Sequence, residues 1–327
     1  MNVVTPNTLA EKAMLVSLRM SCWLPGLIDR EITEAIAQQH NVRASRAGRY
    51  QKYTIDPKTP SYLAVRRALG ELRTRFYWHT LPWAHRGVRI LPAVSFAQYS
   101  DEMRKGSQQF IDCVESFCNE WPRLKTLALA ETHGLVKPED FPANVRDRFG
   151  VELQVMPIPT VGDFRVAMAD EDAARLKAQM QEGVDAQIRE ALVLATREPY
   201  ERLYELVKNM CQRLADPDGK FHDTLITNVR DLCAVMPALN ITGDANLQQV
   251  TALAEKMIAN IEPQQLRDVP ILRERVAVDA AALKVMLEPH VAESAPTATQ
   301  ADEVRVKAAD IEATMGAFLG YLGGAKP

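Results

Sequence analysis

Between Pro60 and Trp78 the apolar residues Tyr62, Val65, Leu69, Leu72 and Phe76 recur at spacings of three, four, three and four. A strand alternates with period two and cannot bring those five side chains together. An α-helix, turning 100° per residue, gathers them into one buried stripe. The same rhythm returns downstream. It predicts a long helix from about Phe96 to Glu120 and a second piece from Pro122 to Thr132, since proline suits a first turn better than a helix interior. Asp170 is a natural N-cap, with Glu171 and Asp172 placed for the positive end of the dipole. Beyond it Leu176, Met180, Val184, Ile188 and Leu192 mark a long amphipathic face, continued past Pro199 by Leu203, Leu206, Val207, Met210 and Leu214. Shorter helices are expected at about 28–40, 138–149, 220–236, 245–260 and 270–290, and a last one at about 301–320.

Period two is rarer. From Leu15 to Trp23, Val16, Leu18, Met20 and Cys22 fall on one side and Ser17, Arg19 and Ser21 on the other, the pattern of a half-buried strand. Val151–Pro157 and Asp163–Met168 flank the turn-rich PIPTVGD and predict a hairpin, and Arg89–Val94 a short strand. Residues 41–58 are polar and basic, hold Gly48 and Pro57, and read as a loop. The expected fold class is therefore mainly α (α+β): long helices, a helical C-terminal part and a small antiparallel β element. The expected division is a mixed α/β basic domain over 1–168, an acidic helical domain over 169–292, a linker at 293–300 (ESAPTATQ) and a C-terminal helix over 301–327.

Charge is segregated along this chain. Residues 1–126 carry 18 Lys and Arg against 11 Asp and Glu, while the remainder carries 21 against 31. The density peaks at 41–90, where eleven cations meet only Asp56 and Glu71 and are interleaved with seven aromatic rings. Like charges at that density repel unless something compensates. The compensation is either an anionic ligand or the chain's own acidic part. For the first case the candidate nucleic-acid contacts are Arg43, Arg46, Arg49, Tyr50, Lys52, Tyr53, Arg66, Arg67, Arg73, Arg75, Tyr77, Trp78, Trp83, Arg86 and Arg89. Within them Arg66, Gly70, Arg73 and Tyr77 share one flank of the helix at 60–78. Two guanidinium forks, a bare glycine and a phenol suit a phosphate-and-base track, because aromatic side chains stack unpaired bases at about 1–3 kcal/mol each.

Other chemistry leaves little trace. Cys22, Cys113, Cys118, Cys211 and Cys233 form no CxxC pair, and their odd number points to reduced, buried thiols in a cytoplasmic protein. Neither HExxH nor a Cys/His pairing of zinc spacing occurs, nor do GxxxxGK[ST], GxGxxG or GxSxG. No metal, cofactor or catalytic residue is expected. No run approaches the roughly 18 apolar residues of a membrane span, and the first residues lack the basic and apolar regions of a signal peptide. The face formed by Leu176, Met180, Val184, Ile188 and Leu192 is open to two readings: packing against the protein's own helices, or a contact with another copy or a partner.

The ordered pieces SCW, AGRYQK, RRALGELRTRFYWHTLPW, GVRILPA, EDFPANVRDRFGVELQVMPIPTVGDFRV and FHDTLITNVRDLCAVMPALNIT, spread over about residues 10–290, carry a resemblance. Together they resemble an uncharacterised family of bacteriophages, plasmids and integrative elements. Such proteins are often encoded near a MoxR- or cobaltochelatase-like AAA+ ATPase and sometimes near single-strand-binding and recombination proteins. The resemblance implies a mobile-element protein acting in a bacterial host cytoplasm, and it supplies no catalytic residues. The leading expectation is a non-enzymatic accessory protein of DNA replication or recombination that binds nucleic acid, single-stranded DNA above all. The alternative is an oligomeric scaffold or adaptor that partners the ATPase without touching nucleic acid.

Overall fold

A computed structural model describes residues 6–83, 87–159, 170–216 and 221–292. Its elements are α1 (Pro6–Lys12), β1 (Ala13–Ser21), β2 (Gly26–Asp29), α2 (Arg30–Gln39), α3 (Ala44–Ala47), β3 (Tyr50–Tyr53), α4 (Pro60–Trp78), β4 (Leu81–Pro82) and β5 (Val88–Pro92). They continue with α5 (Phe96–Glu131), β6 (Gly150–Met156), α6 (Asp170–Leu214), α7 (Thr224–Leu239), α8 (Ala245–Ile258), α9 (Pro263–Asp268) and α10 (Pro270–Ala292). The fold is mainly α with a small β component. One sheet has the order β4-β5-β1-β6, and β2 and β3 form a separate antiparallel ribbon.

Four expectations change in detail. Residues 41–58 are not a plain loop: they hold α3 and β3. The strand was concealed because its buried position is a lysine, so Tyr50–Tyr53 shows no apolar alternation. The helix expected at 28 starts at Arg30, because the Asp29 carboxylate accepts the Ile32 N–H (3.1 Å) and caps it. The stretch 138–149 forms two 3₁₀ turns, Pro138–Asp140 and Arg146–Arg148, with Pro142 between them unable to donate a helical hydrogen bond. And α5 runs unbroken through Pro122. An interior proline costs about 3 kcal/mol. The continuation buries Trp121, Leu124 and Ala128, and Trp121 sets its ring edge-on to Trp23 and Phe141 at 5.0 and 5.7 Å. Burying a tryptophan and a leucine there outweighs the lost bond. The second hairpin strand at 163–168, the linker at 293–300 and the helix at 301–320 lie outside the described residues.

The chain divides into two compact units, and neither is a continuous segment. One comprises 1–16, 78–96 and 155–327; the other comprises 17–77 and 97–154. In place of the expected break at 168, the chain crosses between the units within β1, at the last residue of α4, at the first residue of α5 and within β6.

In the unit of 17–77 and 97–154, α4 lies antiparallel to α5. Ser61 reaches Glu120, Glu71 accepts from Gln109 (3.2 Å), and the Phe76 and Tyr99 rings lie 6.4 Å apart. Tyr62, Val65 and Ala68 interlock with Phe110, Val114, Phe117, Trp121 and Leu124. The helices approach closely at Gly106, where an added Cβ would stand 2.8 Å from Leu72 Cδ1 and 2.9 Å from Arg75 Nη1. Alanine there gains about 1 kcal/mol of helix propensity, roughly offsetting the displacement of two side-chain ends. Valine gains less and thrusts two methyls at the fully buried Leu72. Gly106→Ala is therefore expected to leave the urea midpoint almost unchanged, and Gly106→Val to lower stability by about 2–3 kcal/mol.

The core of the other unit is built by α6, α7, α8 and α10, with Ile188, Leu203, Val207, Met210, Ile226, Val229, Ala254 and Leu287 at most 1% exposed. Beside it Glu198 accepts from Arg89 Nη2 (2.9 Å) and from Arg202 Nη2 (2.7 Å). Both guanidiniums also donate to the Thr80 carbonyl, at 3.0 and 2.7 Å. Burial alone would raise the Glu198 carboxyl, but the two flanking arginines hold it below the ordinary glutamate range.

Candidate nucleic-acid interface

The fifteen residues singled out from the sequence separate into three groups. The first is taken up internally. Lys52 is 7% exposed, and its ammonium lies 3.0 Å from Asp29 Oδ2 and 2.8 Å from Asp140 Oδ2 while donating to the Leu135 carbonyl at 3.2 Å. A cation already satisfied by two carboxylates cannot serve a phosphate. Its hydrogen bond to Asp140 is the main cause that raises its pKa. Arg89 is paired with Glu198, as above. Trp83 is buried in a core, and Trp78 packs against that same core. Arg75 leans on Glu71 (3.9 Å) and against Gly106. Their sequence positions looked cationic or aromatic; their environments are those of structural groups.

The second group faces water. Arg43, Arg46, Arg49, Arg66, Arg67 and Arg73 are exposed, as are Tyr53 (49%) and Tyr77 (47%), and Tyr50 is half-buried. Among the described residues, Arg43, Arg46, Arg49, Arg66 and Arg73 take part in no ion pair. Arg43, Arg46 and Arg49 surround α3, a single helical turn that ends at Gly48 with φ 85°, a left-handed conformation that favours glycine. Arg66, Gly70, Arg73 and Tyr77 lie within a narrow arc of α4, as the spacing requires. A Cβ built on Gly70 would meet no heavy atom within 4 Å, so the space between the two guanidiniums is open. Arg66 also passes near Cys22, where its charge partly offsets the burial that raises that thiol's pKa. The third group is Arg86 alone, which lies outside the described residues.

Several other cations of this unit are neutralised on its surface, whereas Arg30, Lys58, Lys125, Lys137 and Arg148 take part in no ion pair among the described residues. Arg104 and Lys105 share Asp101 at 2.7 Å each, Arg123 pairs with Glu120, and Arg146 with Glu115 at 3.2 Å. Counting all side chains, the unit of 17–77 and 97–154 has 18 Lys and Arg against 15 Asp and Glu, leaving 21 against 27 for the other. An open groove of about 500 Å³ lies between α4 and α5, lined by Ser61, Ala64, Arg104, Gln108, Cys113 and Ser116 among others. By helical geometry it flanks the side of α4 away from Arg66 and Arg73. Burial pushes the Cys113 thiol up, and the neighbouring Asp112 accepts from Gln108 (2.8 Å), so this thiol is not activated; the Ser61 hydroxyl at the groove donates to Glu120.

Of the expected contact face on α6, Ile188 is 1% exposed within the core, and Val184 and Leu192 pack against it. Ile188 thus follows the internal reading, while Val184 and Leu192 pack against the core and remain half-buried. The side chains of Leu176 and Met180 lie outside the described ones. Sequence reasoning missed Asp29, Asp140 and Glu198, the carboxylates that remove Lys52 and Arg89 from the basic surface. They stand 23, 88 and 109 residues from those cations, and no local pattern joins them. Among the described residues no cluster of three or more His, Cys, Asp or Glu could hold a metal ion, and no helix is long and apolar enough to cross a membrane.

Comparison with protein-family models, with curated proteins and with solved structures finds no match to this chain.

Proposed function

We propose that the protein is a non-enzymatic nucleic-acid-binding accessory protein of a phage or mobile element, assisting DNA replication or recombination, and that single-stranded DNA is its preferred ligand. The observation that carries this reading is the set of five exposed arginines, Arg43, Arg46, Arg49, Arg66 and Arg73, without an ion-pair partner among the described residues. Guanidinium groups left in water at this density gain by meeting phosphates, since each contact releases condensed counterions. Arginine is matched to that role by its planar fork of donors. Tyr53 and Tyr77, exposed in the same unit, supply ring faces on which unpaired bases stack irrespective of sequence. With Lys52, Arg75, Trp78, Trp83 and Arg89 removed, the proposed surface is smaller than the sequence implied and wholly arginine-based.

The test is a fluorescence anisotropy titration of a labelled oligo-dT with the full chain. Affinity is expected to fall steeply between about 50 and 200 mM salt, with a log–log slope near −0.7 for each phosphate neutralised on a single strand. Absence of binding at the lower salt removes the proposal.

A further inference from the structure

The β2–β3 ribbon has two unlike faces. Its register sets Leu27 opposite Lys52 and Asp29 opposite Tyr50 on the inner side, and Gly26 opposite Tyr53 and Ile28 opposite Gln51 on the outer. Inward, the Lys52 ammonium is held by Asp29 and Asp140. Outward, the side chains meet water: Ile28 is 55% exposed, Tyr53 49%, and Gln51 is exposed with them. The Thr54 N–H donates to the Pro25 carbonyl (2.9 Å), so the ladder continues past Gly26, and the alternation brings Leu24, 65% exposed, to the same outer side.

Two details give this face a chemistry. The Gln51 carboxamide lies across Gly26, where an added Cβ would collide with it, and makes no hydrogen bond among the described residues. Arg49 stands two residues before Gln51 and extends the outer series Arg49, Gln51, Tyr53. Like Arg43 and Arg46 in the turn before it, Arg49 is exposed and takes part in no ion pair among the described residues. No acidic residue occupies an outer position of the ribbon. Exposed apolar side chains grouped in this way mark a contact surface. Its occupant must offer an apolar face to Tyr53 and Ile28, a hydrogen-bonding edge to Gln51 and a negative charge to Arg49. An unpaired nucleotide offers all three. Successive outer side chains stand about 6.5–7 Å apart along a strand, a step that separates a base from its phosphate.

We propose that the outer face of the β2–β3 ribbon is a platform for one unpaired base and makes the protein choose single strands over duplexes. Tyr53 stacks the base with Ile28 beside it, Gln51 holds its edge and Arg49 its phosphate. A carboxamide turned over exchanges donor for acceptor, so Gln51 matches the edge of any base and the platform reads strandedness rather than sequence. In a duplex the base faces are stacked and their pairing edges engaged, which leaves the phosphates for the arginines. The inference rests on the nucleic-acid reading above, in which the arginines draw in the backbone of either form.

The test compares the full chain with Tyr53→Thr plus Ile28→Thr, which keeps a strand-forming residue at both positions. Each is titrated at equal salt with labelled oligo-dT, alone and annealed to oligo-dA. Single-strand affinity is expected to fall about tenfold or more, and duplex affinity to change by less than about twofold. Equal losses on the two forms, or no loss on the single strand, overturn the platform and leave the arginine surface standing. An unaltered chain that binds neither form removes both readings. Irradiating the unaltered chain with oligo-dT that carries one 5-bromodeoxyuridine reads the contact without a variant. Peptide mass spectrometry is expected to place the main crosslink at Tyr53, and a main crosslink outside the ribbon overturns the platform.

Discussion

Replacing Lys52 with methionine is expected to lower stability by about 3–5 kcal/mol, read as a large drop in the urea midpoint of the unit that contains it. Methionine fills nearly the same volume, so the loss is electrostatic. Without the ammonium, the Asp29 and Asp140 carboxylates, only 13% and 16% exposed, face each other with no cation between them. The damage spreads beyond the pair. Asp29 caps α2 and closes the β2–β3 ribbon opposite Tyr50, and Lys52 itself ties β3 to Leu135 beyond α5. Substituting Asp29→Asn and Asp140→Asn together with Lys52→Met removes the stranded charges and is expected to restore part of the loss.

The pH dependence has a definite sign. Asp29 is held low first by the Ile32 N–H and then by Lys52. For Asp140 the largest influence is burial, which pushes upward, but Lys52 and the Lys137 N–H prevail and its pKa is also lowered. Depressed carboxylates contribute stability above their ordinary value near pH 4 and lose it as pH falls through the folded value. Lys52, with its raised pKa, contributes fully below its ordinary value of about 10.4 and loses that contribution as pH rises through the folded one. The trio therefore stabilises the fold between about pH 4 and 10. In Lys52→Met protonation relieves the two bare carboxylates, so the stability gap to the unaltered protein is expected to narrow from pH 7 toward pH 4. A gap of constant size would show that Lys52 acts by packing alone.

This trio also shows where sequence reading stops. The helices were legible wherever one stripe of side chains had one destination: Tyr62, Val65, Leu72 and Phe76 on α4 are buried, as their spacing required. β1 was legible as a strand from its period-two pattern, although Leu15, Val16 and Ser17 are buried in succession rather than alternately. β3 was not, because its inward position is filled by Lys52, whose partners come from α2's cap and from the turn after α5. The unbroken passage of α5 through Pro122 was equally hidden, since the compensation is the burial of Trp121 among rings from distant segments. The candidate surface was partly legible. Spacing alone placed Arg66, Gly70, Arg73 and Tyr77 on one flank of α4, a relation local to one helix. Which cations remain unpaired depends on contacts across 23 to 109 residues, and composition treats Arg73 and Arg89 alike.

That difference gives the charge-reversal variant Arg66→Glu with Arg73→Glu its force. Each change removes a guanidinium from the proposed phosphate track and installs a carboxylate there. A charge-assisted hydrogen bond is worth about 1.5–3 kcal/mol, and each 1.4 kcal/mol is a factor of ten. The two changes together are expected to weaken binding to oligo-dT by about 100-fold or more and to make the salt slope shallower by about 1.4. The fold is expected to tolerate them, because both residues are exposed and neither has an ion-pair partner among the described residues, a setting in which substitutions shift stability by about 0.5 kcal/mol or less. Arg89→Glu is the contrasting case: it sets two carboxylates against each other at Glu198, and is expected to unfold the protein rather than merely release its ligand. If the double variant keeps full affinity, α4 is not the track, and Arg43, Arg46 and Arg49 reversed together become the remaining arginine surface to test. If it instead loses stability as Arg89→Glu does, the stripe is neutralised within the protein, and the acidic part of the chain is its partner.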